Sequence, residues 1–367
     1  MKKAHIWLRA ESKPLEERIA LTPNVAQKLL QAGFKITVEE SPLSAIPAQA
    51  YQEIGCDVMP AQSWQQAPKD TIILGLKELS ENNWPLVHRH IHFAHVYKEQ
   101  QGWQDVLRRF KTGEGELYDL EYLVDDNNRR VAAFGYWAGF AGAAVALKAF
   151  GKRQQVANNA STQDSQSVLA PLTSMPSKQA LVDDVAKSLS TLARPPKVLV
   201  IGAKGRSGRG AVEMAESVGA EVTQWDMAET KIGGPFEAIL DFDVLVNCVF
   251  VQEALPPFIT LPMLETNGIE PRRLTIICDV SCDPYGTYNP LPIYSSCTTF
   301  DKPCLRIIEG DNPVDLIAID HLPSLLPVES SEDFCQQLLP HLLQLDDLNL
   351  GVWQKANQIF TDKLSQV

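Results

Sequence analysis

The chain has no C-x-x-C pair and nothing near the ~20 uninterrupted apolar residues that a membrane helix needs. Its opening, Met1-Lys2-Lys3-Ala4-His5-Ile6-Trp7, carries no long apolar run, so neither signal peptide nor membrane anchor is expected and the protein reads as cytoplasmic. A basic surplus is also missing. With 45 acidic residues against 33 Lys and Arg, the net charge is -12, which argues against nucleic acid or an anionic membrane as a broad-surface partner. An anionic ligand would need a local basic cluster. The seven cysteines (Cys56, Cys248, Cys278, Cys282, Cys297, Cys304, Cys335) are odd in number and scattered, which suits free thiols better than a disulfide framework or a zinc site. No solenoid repeat and no disordered or fibrous bias is present, and 367 residues suffice for two domains with full cores.

What is present centres on Lys197 to Ala211, an apolar strand followed by the turn Gly202-Ala203-Lys204-Gly205-Arg206-Ser207-Gly208 and a helix. A second strand, Glu221 to Trp225, delivers Asp226 about 20 residues beyond the turn, where dinucleotide folds place an acid on the ribose. Side chains at Gly202, Gly205 or Gly208 would hold the backbone away from a pyrophosphate seated on the helix N-terminus. Asp226 would accept from the ribose hydroxyls and repel a 2′-phosphate, favouring NAD over NADP. The spacing is G-x-x-G-x-x-G rather than G-x-G-x-x-G, so a glycine turn that binds nothing is the competing reading.

Strands alternate with helices through the first third: strands at 5–9, 34–39, 56–59, 71–76 and 117–123, and helices at 23–32, 50–54 and 100–110. Thr22 as N-cap and Pro23 at the first helical position open the first helix, and Gly33 stops it. This pattern implies a parallel sheet, so residues 1–133, rejoined by the helical tail 326–367, form one α/β domain and residues 134–325 a Rossmann domain. A helix rich in Gly and Ala begins at Gly135, where it could pack closely on another backbone and connect the domains. Residues 151–176 read as a mobile polar loop.

Polar residues just after buried strands are the first chemical suspects in an open α/β sheet. Lys77 follows Thr71 to Leu76, and His95 follows Ile91 to Ala94. The spacing His88, His90, His92, His95 allows two readings. Alternate strand residues could hold zinc, although Arg89 among them would oppose a dication, or one histidine could serve as acid or base near neutral pH. Arg18, Arg129 and Arg130 could bind carboxylates from loops facing the interdomain region. Asp320-His321 and Ser281-Cys282-Asp283 also follow buried strands.

Several blocks together resemble the NAD-dependent, L-lysine-forming saccharopine dehydrogenase family. They are Leu8-Arg9-Ala10-Glu11-Ser12-Lys13-Pro14-Leu15-Glu16-Glu17-Arg18, Gly75-Leu76-Lys77-Glu78, Phe93-Ala94-His95, Arg129-Arg130-Val131-Ala132-Ala133-Phe134-Gly135 and Asp320-His321-Leu322-Pro323-Ser324-Leu325-Leu326-Pro327. The first block is shared with alanine dehydrogenase and the transhydrogenase substrate domain, whereas the last is more particular.

The resemblance implies two Rossmann-like domains of parallel sheets flanked by helices, with the active site in the interdomain cleft. It implies oxidation of the secondary amine of saccharopine to an imine, whose hydrolysis gives lysine and 2-oxoglutarate. By position, Lys77 would be the base taking the amine proton, with positive neighbours and desolvation tuning it, and His95 the acid/base for water addition. Arg18, Gln100, Arg130, Phe134, Ser281 and Asp283 would bind substrate. Arg129, Gly202, Gly205, Arg206, Asp226, Thr230, Phe250, Val280, Ile319, Asp320, His321 and Leu322 would bind NAD, and no metal is implied. Another amino-acid or opine-type dehydrogenase, or a silent NAD-binding protein, remains the alternative, as a monomer or weak dimer. Ser207 stands where fungal members can carry a cysteine that pairs with the one matching Cys248, so that disulfide cannot form here. The ending Ser365-Gln366-Val367 is unlike a peroxisomal signal.

Overall fold

A computed structural model describes residues 3–80, 82–158, 168–251, 253–265 and 272–367. The chain divides into two compact units, Met1–Phe134 with Pro327–Val367, and Gly135–Leu326.

The first unit runs β1 (His5–Leu8), α1 (Pro23–Gln31), β2 (Lys35–Glu39), α2 (Gln49–Gln52), β3 (Asp57–Met59), β4 (Ile72–Leu74), β5 (Arg89–His92), α3 (Trp103–Gly113) and β6 (Glu116–Asp119). Its six strands are all parallel in the order β3-β2-β1-β4-β5-β6. Thr22 is the N-cap of α1 and Pro23 opens it, where the missing N–H of proline costs nothing. Gly33, at φ 90, then turns the chain back into β2. One core joins Val25 and Leu29 of α1 to Ile6, Ile36 and Val38, and another joins Trp7 to Trp64, Phe110 and Leu117.

The second unit runs α4 (Gly135–Asn158), α5 (Lys178–Leu189), β7 (Lys197–Ile201), α6 (Arg206–Ser217), β8 (Glu221–Trp225), α7 (Met227–Thr230), β9 (Val244–Asn247), α8 (Leu261–Glu265), β10 (Ile276–Asp279), β11 (Leu305–Ile308) and β12 (Val314–Ile317). Its sheet order is β11-β12-β10-β9-β7-β8, parallel except for β11, which pairs antiparallel with β12. The chain then returns to the first unit through α9 (Pro327–Leu342) and α10 (Gly351–Leu364).

Buried side chains of α4, among them Phe140, Ala143, Ala144 and Leu147, point to several sides of it, as expected of a helix at the centre of a domain. Its small residues do bring a backbone close. A Cβ at Gly139 would overlap the Ser207 carbonyl, and one at Gly210 would overlap that of Tyr136, so α4 and α6 touch main chain to main chain.

One expectation is corrected. The polar stretch does not begin at residue 151, because α4 continues to Asn158. Lys152, Arg153, Gln154 and Gln155 are good helix formers. Arg153 also anchors that last turn by donating to the Pro313 carbonyl at 3.1 Å and pairing with Asp315. Positions 159–167 of the expected loop lie outside the described residues.

Candidate active site

In the first unit, Lys77 follows β4, His95 follows β5 and Glu121 follows β6, three neighbouring strands that end on the same edge. The C-terminal edge of parallel strands is where such sheets bind ligands. The lysine segment is held by its backbone. Glu11 accepts from the amides of Leu76 at 2.7 Å and Lys77 at 2.9 Å, while Arg9 pairs with Glu11 at 3.3 Å and donates to the Lys77 carbonyl. Gly75 is glycine for a packing reason, because a side chain there would overlap the Arg9 guanidinium.

The charge of Lys77 acts on the Glu16 carboxylate. Burial alone would raise the Glu16 carboxyl, yet the hydrogen bond and charge of Arg18, with the charge of Lys77, hold it below the ordinary range. Arg18 is buried rather than exposed: its Nε donates to Glu16 Oε1 at 2.8 Å and its Nη2 to Oε2 at 2.7 Å. Its guanidinium lies 4.6 Å from the Phe134 ring centroid, and that ring stacks on Phe334 at 4.5 Å. The sequence hides this arrangement, because a Glu and an Arg two residues apart in a loop usually both face water.

His95 sits at φ 55, in the left-handed region that a non-glycine residue adopts at some cost and that is common at functional sites. Its Nδ1 is 3.5 Å from Glu121 Oε2 and its Nε2 is 3.9 Å from Glu78 Oε1. Glu121 also accepts from Lys98 and Arg130, each at 2.8 Å. Its interaction with His95, aided against burial by Lys98 and Arg130, pulls the Glu121 carboxyl down to about 2. Behind both lies Asp119, fully buried, accepting from the Ala94 amide at 3.3 Å and the Glu121 amide at 2.9 Å. Burial pushes its carboxyl up to about 6. These acids were missed from the sequence, although Glu78 directly after Lys77 and Glu121 after a buried strand were the available signals.

His95 opens into a hollow of about 730 Å³ that Glu78, Lys13 and Gln100 also line. The other three histidines turn away from it. His90 is fully buried, with its ring 5.2 Å from that of Trp64 and 5.4 Å from that of Phe110, and His88 and His92 flank it on the same face. Among the described residues, no group of three or more His, Cys, Asp or Glu is placed to hold a metal ion.

In the second unit the glycine turn connects β7 to α6, and β7 lies between β8 and β9, the point where the winding direction reverses. Each glycine has its own reason. Gly202 adopts φ 79, and a Cβ there would lie 2.8 Å from Val249 Cγ2. A Cβ at Gly208 would overlap the Gly202 carbonyl and lie 2.5 Å from Ala203 Cα, so only glycine lets α6 start against the turn. At Gly205, the N-cap of α6, the nearest atom to a Cβ is the Gly202 oxygen at 3.2 Å, which leaves a bare backbone beside the helix N-terminus. Asp226 is fixed by the same turn, accepting from the Lys204 amide at 2.9 Å and the Met227 amide at 2.8 Å. These features fit a dinucleotide: a turn without side chains, a helix start, and a carboxylate at the end of β8.

The remaining candidates divide. Arg206 opens α6 and is exposed, Phe250 is 60% exposed, Asp320 is exposed, and the His321 ring packs 4.6 Å from that of Phe300. Thr230 is buried, its hydroxyl donating to the Asp226 carbonyl at 2.9 Å, so it supports Asp226. Ile319 and Leu322 are buried in the core, and Val280 packs against it, so Ile319 and Leu322 can offer a ligand their backbone but not their side chains. Ser281 donates to Asp279 at 2.6 Å, and Asp283 folds over Gly286. Arg129 is exposed in the first unit, in a turn where its amide donates to Asp125 at 2.9 Å.

Residues 7–141 match the family described as alanine dehydrogenase/PNT, N-terminal domain. The chain is 46% identical over 364 residues to the saccharopine dehydrogenase (NAD(+), L-lysine-forming) of Yarrowia lipolytica, covering 97% of this chain and 96% of the relative. It is 45% identical to the protein of the same name from Schizosaccharomyces pombe, covering 97% of both chains. A solved L-alanine dehydrogenase shares the fold, with a TM-score of 0.65 at 17% identity over 98% of this chain and 99% of the other. The chain belongs to the NAD(+)-dependent, L-lysine-forming saccharopine dehydrogenase family.

Proposed function

We propose that this protein oxidises L-saccharopine to L-lysine and 2-oxoglutarate, reversibly, with NAD as its cofactor. The observation that carries the reading is the pairing of Lys77 and His95 at the ends of adjacent strands, each set against carboxylates. When bound, the oxidised nicotinamide supplies the acceptor for a hydride. A carbon releases hydride only if the neighbouring nitrogen has a free lone pair, so Lys77 takes the proton from the secondary amine. His95 then takes a proton from the water that adds to the imine carbon and returns one to the departing lysine nitrogen. Its side chain is 32% exposed, so water reaches it, whereas His90 is sealed.

Saccharopine carries three carboxylates. In the first unit Arg18 and Arg130, paired with Glu16 and Glu121, turn to the substrate carboxylates, with Gln100 and Phe134 beside them, and Ser281 and Asp283 are the second unit's substrate residues. Gly202 and Gly205 leave space for a pyrophosphate, Asp226 receives the ribose with Thr230 supporting it, Arg206, Phe250, Val280, Asp320, His321 and the backbone of Ile319 and Leu322 serve the rest of the dinucleotide, and Arg129 is the first unit's cofactor residue. The test is NADH consumption with lysine plus 2-oxoglutarate. Turnover with pyruvate and ammonia instead would reassign the substrate, and binding of NADH without turnover on any pair would make this a silent binding protein. No helix among the described residues is long and apolar enough to cross a membrane.

A further inference from the structure

Cys282 and Cys297 take no part in the reaction proposed above, yet their Sγ atoms lie 3.1 Å apart. Both are set against one residue. The Cys282 thiol also donates to the Ala318 carbonyl at 3.1 Å. Thr298, next to Cys297, exchanges two hydrogen bonds with Ala318, its amide donating at 2.8 Å and its Oγ1 accepting at 2.9 Å. The pair is therefore held in place by the end of β12, and Cys282 is further constrained by a φ of 50. Cys297 is exposed and Cys282 half-buried. Closing 3.1 Å to the ~2.05 Å of a disulfide needs a side-chain adjustment and no rearrangement of the sheet.

We propose that Cys282 and Cys297 form a reversible dithiol–disulfide site, oxidised by low-molecular-weight disulfides, that tethers the segment carrying Ser281 and Asp283 and slows turnover. The effect on turnover rests on the function proposed above; the bond itself does not. The exposed Cys297 thiolate attacks one sulfur of the small disulfide, giving a mixed disulfide and releasing one thiolate. Cys282 then gives its proton to solvent and attacks the Cys297 sulfur, and the second small thiolate leaves. Two cysteine thiols lose two electrons and two protons in all, and one small disulfide becomes two small thiols. Burial, with the neighbouring Cys297, Asp320 and Asp279, holds the Cys282 thiol well above its ordinary range, so Cys297 is the first attacker.

The test treats the full chain with oxidised glutathione, alkylates it and digests it with chymotrypsin, which cuts after Tyr285, Tyr288 and Tyr294, between the two cysteines. A peptide pair linked through Cys282 and Cys297 is expected, released by dithiothreitol and absent from Cys297→Ser. Turnover of lysine, 2-oxoglutarate and NADH should fall at least threefold on oxidation and recover on reduction, while Cys297→Ser stays unaffected. A glutathione adduct that persists on Cys297, or two alkylated thiols, would overturn the proposal, and a linked pair with unchanged turnover would overturn its regulatory half. If no turnover exists at all, the function fails, and the peptide readout still decides the disulfide.

Discussion

Acid should unfold the first unit through two histidines that cannot take up protons. His90 and His92 are fully buried, and both ring nitrogens of His90 lack a partner. Desolvation first, then nearby His92, Arg9, His88 and Arg109 for His90, and Arg9, His95 and Arg109 for His92, hold both well below 6.5. In the unfolded chain each titrates near its ordinary value of about 6.5. Stability is therefore complete above that pH and declines below it, as the unfolded state binds protons that the folded state refuses. Between pH 7 and 5 each histidine removes about 2 kcal/mol while it stays neutral in the fold. Asp119 works the other way. With its carboxyl raised to about 6, the folded state holds a proton that the unfolded state has lost, returning about 1 kcal/mol over the same range. Together these three groups remove about 3 kcal/mol, and His341, lowered by burial in the same unit, acts in the same direction. His90→Leu removes one histidine's share at a site with no hydrogen bond to lose, so its loss should shrink by about 2 kcal/mol. Urea unfolding followed by circular dichroism at pH 7, 6 and 5, wild type beside variant, measures the difference. Parallel pH curves for the two proteins would refute the reasoning.

Other outcomes follow from the same geometry. Lys77→Met and His95→Gln should each lower kcat by about 10²–10⁴-fold, the usual worth of a general acid or base, with NADH affinity by fluorescence titration near wild type; lost NADH binding would mean the two are misplaced. Gly208→Ala puts a Cβ 2.5 Å from Ala203 Cα, so NADH should bind at least about tenfold more weakly and the protein should melt lower by calorimetry; unchanged affinity would show that the turn does not carry the cofactor. Asp226→Ser removes a charged acceptor worth about 2 kcal/mol, so the preference for NADH over NADPH should narrow by roughly 30-fold, read as the ratio of kcat/KM values.

Much of this was legible in the sequence. The glycine turn, its flanking strand and helix, and Asp226 could be read because each is imposed by local sterics, and the tail expected to be helical carries α9 and α10. What could not be read depends on partners distant in sequence. The strand β11 is short and lacks alternation, and it is held at the sheet edge by Arg306 donating to Asp315 at 2.6 Å. The burial of Arg18 depends on Glu16, two residues away, and on Phe134, 116 residues on, and the extension of α4 depends on Asp315, 162 residues beyond Arg153. The resemblance makes Ile319 and Leu322 cofactor contacts, and because their side chains close the core only their backbone is left for a ligand. The carboxylates around His95 come from two chain segments, after β4 and after β6, that only the strand order brings to it.

The most direct measurement incubates purified protein with saccharopine and NAD⁺ and quantifies every product, in wild type and in Lys77→Met. Lysine, 2-oxoglutarate and NADH should appear in equal amounts from the wild type and at a small fraction of that rate from the variant. NADH formed without lysine, or a variant as fast as the wild type, would contradict a base at Lys77 acting on the amine of saccharopine.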